Sequence, residues 1–200
     1  VKLPRPVTAQ DMAVEGSGRD RPVMGVIPGQ IITEFLRLDL PEDHGHVLPD
    51  PEQDVAKVCV VARHGHNDNI GRGFVRGFGL KEGALASSVG HDSHNICVVG
   101  TSDADMACAV NHLEKTGGGF VAVRNGQVLA DLRLPVAGLM SDAPYEQVRD
   151  DLIILRKAAK TMGVVLEEPF LQLAFLPLPV IPHLKITDFG MIDGRTMSVV

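Results

Sequence analysis

The chain has 200 residues, of which 44% are hydrophobic, and a formal net charge of −6. That length supports one domain, or two small ones, around a real hydrophobic core. The mild acidity, without a basic stripe, argues against nucleic acid or an anionic membrane as a direct partner, and no apolar run reaches the roughly 20 residues that span a bilayer.

Residues 1–21 are polar, proline-bearing and aperiodic, and "VEGSGRDRP" has the composition of a linker or mobile arm. The body of the chain, 22–200, begins with the alternating run "VMGVIPGQIITEFLRLDLP", which predicts strands broken at Pro28-Gly29. "EDHGHVLPDPEQD" reads as a loop. Val55 to Arg63 is rich in β-branched residues and predicts a strong strand, followed by a Gly-dense stretch. Ala84–Val89 and Ile96–Gly100 predict neighbouring strands. Between them lies Gly90-His91-Asp92-Ser93-His94-Asn95.

Thr101 or Ser102 caps the helix predicted next, with Met106, Ala109, Val110 and Leu113 on one face and the Gly117–Gly119 run as its stop. Asn125-Gly126 between two alternating runs predicts a type I′ hairpin, because both central residues need positive φ. A second helix starts near Asp142 with Pro144 in its first turn, buries Val148, Leu152, Leu155, Ala159 and Met162, and ends at Gly163. "PFLQLAFLPLPVIP" holds four prolines, so short edge strands or an extended wrap fit better than a central strand. This order predicts an α+β fold: an antiparallel or mixed β-sheet with two main helices packed on it.

Cys59, Cys97 and Cys108 are odd in number and none lies in a C-x-x-C pair. Free, buried, reduced thiols in a cytoplasmic protein are expected. The opening residues "VKLPRPV" hold neither Met nor a signal-peptide core, so the chain reads as cut from something longer.

Two H-x-H pairs, His44/His46 and His64/His66, lie in loops without further ligands at a metal-site spacing; His44 and His46 read as solvated loop histidines, whereas His64 and His66 close a buried-looking strand where at least one of them could have a role. His64 closes a strand, where functional side chains often sit, and is a candidate substrate-binding residue. Gly71-x-Gly73-x-x-x-Gly77 misses the dinucleotide spacing, and tight turns explain these glycines. His91, Asp92, Ser93, His94 and Asn95 form the candidate active-site loop. Asp92 would orient an imidazole there, with Ser93, His94 or Asn95 facing a ligand. The rival is a hairpin tip whose polar side chains satisfy its own backbone. No G-x-S-x-G elbow supports a serine hydrolase.

"NIGRGFVRGFGLKEGALASSVGHDSHNICVVG", the following "DADMACAVNHLEKTGGGFVAVRNGQVLADLRLPVAGLMSD" and "PFLQLAFLPLPVIPHLKITDFG" resemble the C-terminal region of bacterial adenine deaminase, of the amidohydrolase superfamily. The resemblance runs from Val23 to Gly190. Gly90 stands where the family carries Ala, "HGHND" departs from its His-His-Gly-Thr-Gly, and the last ten residues stand outside.

The resemblance implies hydrolysis of adenine to hypoxanthine and ammonia, as in purine salvage. Water would be activated by a divalent metal pair (Mn or Fe) in a (β/α)₈ barrel. That barrel is absent from these residues. No metal is expected on this chain, which alone is expected to be inactive. Its implied partners are the amidohydrolase barrel of the same enzyme, adenine as the whole enzyme's substrate, and further copies in a homo-oligomer. The alternatives are a non-catalytic assembly module, built on the proline-rich segment 169–182, and an independent metalloenzyme using His64, His66, His91 and His94.

Overall fold

The computed structural model describes residues 1–200. The strands are β1 (Val14–Glu15), β2 (Arg21–Val26), β3 (Thr33–Leu38), β4 (Glu42–Asp43), β5 (His46–Val47), β6 (Val55–Val61), β7 (Ile70–Arg76), β8 (Ala84–Ser87) and β9 (Ile96–Gly100). Helix α1 (Asp103–Thr116), β10 (Gly119–Arg124), β11 (Gln127–Arg133), α2 (Tyr145–Thr161) and α3 (Pro169–Phe175) follow. Three short strands, β12 (Leu184–Thr187), β13 (Gly190–Asp193) and β14 (Ser198–Val199), end the chain.

Eight strands form one sheet in the order β11-β10-β8-β9-β6-β7-β2-β3. Every pairing in it is antiparallel except β2 with β7. The fold is therefore α+β with a mixed sheet, as the sequence predicts. Strand side chains alternate between faces, and the two faces carry separate cores. Val58, Val60, Leu85 and Val99 point to the side covered by α2, α3 and the C-terminal hairpin. Cys59, Ala86, Val98 and Val121 point to the side covered by α1. Strand β6 is buried along its whole length because both its faces are covered.

Local chemistry fixes the edges of the elements. Ser102 caps α1, its hydroxyl accepting from the Asp105 N–H, and Gly117 ends the helix with φ +84°. Asn125 and Gly126 have φ of +54° and +73°, the signature of the expected hairpin. The buried Asp105 carboxylate accepts from both of their N–H groups, at 3.2 and 2.7 Å, and ties the hairpin tip to the first turn of α1.

Four expectations are corrected. The segment 1–21 is packed rather than a mobile arm: Leu3, Val7 and Met12 are buried under α1. Arg5 holds Asp11 at 2.7 Å through each of two nitrogens, and Asp11 in turn accepts from Thr8. A polar composition hid three apolar anchors spaced along an irregular path. The loop after Leu38 contains β4 and β5, which pair with each other, and β5 also pairs with β1 to make a small three-stranded sheet.

Helix α2 begins at Tyr145, with Pro144 as its cap rather than inside its first turn. The proline-rich segment starts as a helix, α3. Pro169 occupies the first helical turn, where its missing N–H costs nothing, and no proline recurs until Pro177.

Candidate functional site

The loop Gly90–Asn95 joins β8 to β9 at one end of the sheet, and its backbone is held from several elements. The His91 N–H donates to Ala174 O at the end of α3 (2.9 Å), and the His94 N–H donates to Gly90 O (2.6 Å). The Asn95 side-chain oxygen accepts from the Arg63 N–H (3.3 Å). The Arg63 guanidinium donates through Nε to His94 O and through Nη2 to Ala137 O (3.0 Å). Arg63 lies two residues beyond the end of β6, so a strand buried along its whole length anchors the residue that clamps the loop.

Arg63 is 4% exposed. Its pKa is lowered from the ordinary arginine range by burial alone, because no carboxylate faces it. Two main-chain carbonyls therefore take the place of a counter-ion.

The loop's side chains divide by role. Asn95 is buried and structural. Ser93 presents its carbonyl to His64 Nε2 at 2.8 Å, so that nitrogen carries the proton and His64 is bound to the loop rather than free for a ligand. Asp92 is exposed, and its Oδ1 lies 3.6 Å from His91 Nδ1. That is too long for a hydrogen bond, so the expected orientation of an imidazole by Asp92 is at most a loose ion pair.

His91 is oriented instead by stacking on Phe175, with ring centroids 5.0 Å apart and planes at 19°. The His94 ring lies 6.0 Å from that of His91. His94 has φ +50° and its Nδ1 is buried without a partner. Its pKa is lowered first by desolvation, then by the neighbouring His91 and Arg63, so the ring is neutral at pH 7.

The structure thus brings together His64, His91, Ser93, His94 and Asn95 and leaves Asp92 at the rim. His66 makes no side-chain hydrogen bond, His44 sits in the turn between β4 and β5, and His46 belongs to β5 of the small sheet. No three His, Cys, Asp or Glu side chains are grouped as metal ligands. The metal pair implied by the resemblance therefore finds no fitting donor set in this chain, and no chemical step is routed through one here.

Sequence reasoning missed Arg63, Phe175 and Ala174 as the groups that hold the loop. An arginine at the end of an otherwise apolar strand was the available signal for the first. The other two needed the fold.

The fold and the loop together define a mixed-sheet α+β domain that fixes a histidine-bearing loop at one end of its sheet. The family model described as the adenine deaminase C-terminal domain matches residues 30–198, so the chain belongs to that family. The match takes in all but the final two of the last ten residues, which the resemblance had left outside.

The adenine deaminase of Gluconobacter oxydans (strain 621H) is 98% identical over 200 residues, which is 100% of this chain and 35% of that protein. That of Methylobacterium nodulans is 61% identical over 97% of this chain and 34% of its own length. Adenine deaminase 1 of Agrobacterium fabrum is 60% identical over 98% of this chain and 34% of its own length. The chain spans about a third of the curated relatives it matches.

Proposed function

We propose that this domain serves an enzyme that hydrolyses adenine to hypoxanthine and ammonia, packing on its metal-bearing barrel and presenting Gly90–Asn95 at the mouth of the active site. The observation that carries this is His94. Its Nδ1 is buried and unpartnered on a loop that Arg63 holds fixed. A buried polar atom without a partner costs roughly 1–3 kcal/mol, a cost that a ligand or a neighbouring domain would offset.

Neutral imidazole suits the task, since it can donate or accept a hydrogen bond at a purine edge. In this reading water activation belongs to the barrel. The loop orients the base and closes the site, and the chain alone has no activity.

The test is His94→Ala and Asp92→Ala in the full-length enzyme. His94→Ala is expected to lower kcat by about 100-fold, the lower edge of what a positioned polar group contributes, with little change in Tm. Asp92→Ala is expected to have a smaller effect, given its exposure. Unchanged turnover in both would return the loop to the role of a hairpin tip. Adenine deamination by the 200-residue chain supplied with Mn²⁺ or Fe²⁺ would remove the barrel from the account.

A further inference from the structure

Phe175 has a second face. Beyond its stack on His91 it lines an apolar groove of about 500 Å³ between the Pro28–Ile31 turn and the segment from Val165 to the end of α3. Val165 is 70% exposed, Leu171 57% and Ile31 43%. Grouped exposure of large apolar side chains in one groove marks an interaction site, whereas scattered exposure does not.

The walls of the groove are fixed. Gln172 Nε2 reaches across to Gln30 O (3.1 Å). Beneath, the buried Lys185 Nζ donates to Ile31 O (2.6 Å) and to Phe175 O (3.1 Å), bonding one wall to the other. A preformed groove loses little entropy when it is filled. On its rim Glu168 is held by Arg156 at 2.6 Å, while Glu167 has no partner.

We propose that this groove seats the remainder of the same polypeptide, which inserts an apolar side chain flanked by a basic group that meets Glu167. The proposal deepens the reading above and rests on it, since it assumes that the domain is one part of a longer deaminase. Two observations, together with the effect of tethering, choose this occupant over a second copy. About two thirds of each relative's length lies outside the match, which on the reading above is the tethered neighbour. Tethering gives that neighbour a high effective concentration, against which a free copy competes poorly. The groove is also continuous with the loop through Phe175, so whatever part of the protein meets the loop also reaches the groove.

The experiment places a thiol in the groove, Leu171→Cys, in the full-length enzyme with Cys108→Ser, and follows its reaction with a maleimide. Ile154→Cys, on the exposed side of α2, is the control. In the 200-residue chain both thiols are expected to react at similar rates. In the full-length enzyme Cys at 171 is expected to slow by about tenfold or more relative to the control, at every protein concentration.

Equal rates in the full-length enzyme overturn the proposal. So does slowing that appears only as concentration rises, which would make the occupant a second copy, and so does slowing already present in the 200-residue chain. Labelling and turnover separate the two claims. A protected thiol together with a silent His94→Ala removes the loop's role and keeps the seat. A free thiol together with an impaired His94→Ala does the reverse.

Discussion

Arg63 illustrates how a single side chain sets the geometry of a loop it does not belong to. Replacing it by Met removes the donors to His94 O and Ala137 O and leaves two carbonyls short of partners. Each such loss costs about 1–3 kcal/mol. Arg63→Met is therefore expected to lower the free energy of unfolding by a few kcal/mol in urea titrations, and in the full-length enzyme to lower kcat as well. Arg63→Lys, which keeps a charge but loses the planar fork, is expected to fall between. A variant of unchanged stability would show that the loop holds itself.

His94 has its folded pKa depressed, so its stabilising contribution is present above the unfolded value near 6.5 and is lost as pH falls through the lower folded value. Any acid limb that His94 imposes on kcat/KM is expected below pH 6.5. Thiol chemistry gives a simpler check. Burial pushes Cys59 up to about 12 and raises Cys97 as well, while Cys108 is only partly buried. A thiol reagent on the native chain is expected to modify Cys108 alone.

Strands and hairpins show where glycine is demanded by packing and where by conformation. A Cβ on Gly71 would lie 1.8 Å from Thr187 O, because the β12–β13 hairpin rests directly on β7. At Gly126 nothing stands within 4 Å, and only the positive φ of +73° opposes a side chain. Gly126→Ala is expected to cost about 1 kcal/mol. Gly71→Ala is expected to cost several times more, because backbone must move, and to expose the hairpin to proteolysis. A reversed order in thermal unfolding would contradict the docking of the hairpin.

Elements carried by local pattern were legible beforehand. The strong strand at Val55, the paired runs around the loop, α1 with its Ser102 cap and the Asn125-Gly126 turn all express periodicity or turn chemistry within a few residues. Helix α3 was not legible, since four prolines in fourteen residues suggested extended chain. Only the spacing of Pro169 and Pro177 leaves room for two helical turns.

Across the molecule, the two cores divide the chain in a way no local pattern announces: the first residues pack with α1 on one face, the last with α2 and α3 on the other. Lys185 lies in the second core with no carboxylate beside it. Burial lowers its pKa from the ordinary 10.5 to about 8. The unfolded chain therefore holds more protons between these values, and the stability linked to Lys185 is full above pH 10.5 and lost as pH falls to about 8. Lys185→Met is expected to flatten the rise of unfolding free energy with pH over that window. An unchanged slope would mean that the ammonium is better solvated than its burial implies.

No helix here is long and apolar enough to cross a membrane. The α+β class, the family and the singular character of Gly90–Asn95 followed from the sequence, because alternation, caps, turn residues and a run of polar groups between apolar strands are written in consecutive positions. Which groups brace that loop, that His64 turns to Ser93 while Asp92 stays loose, and that an apolar groove opens beside Phe175 were decided only in three dimensions. Arg63 and His94 are 31 residues apart and Ile31 and Lys185 are 154 apart. Contacts over such separations depend on strand order and on the layering of the two faces, which a linear pattern does not encode.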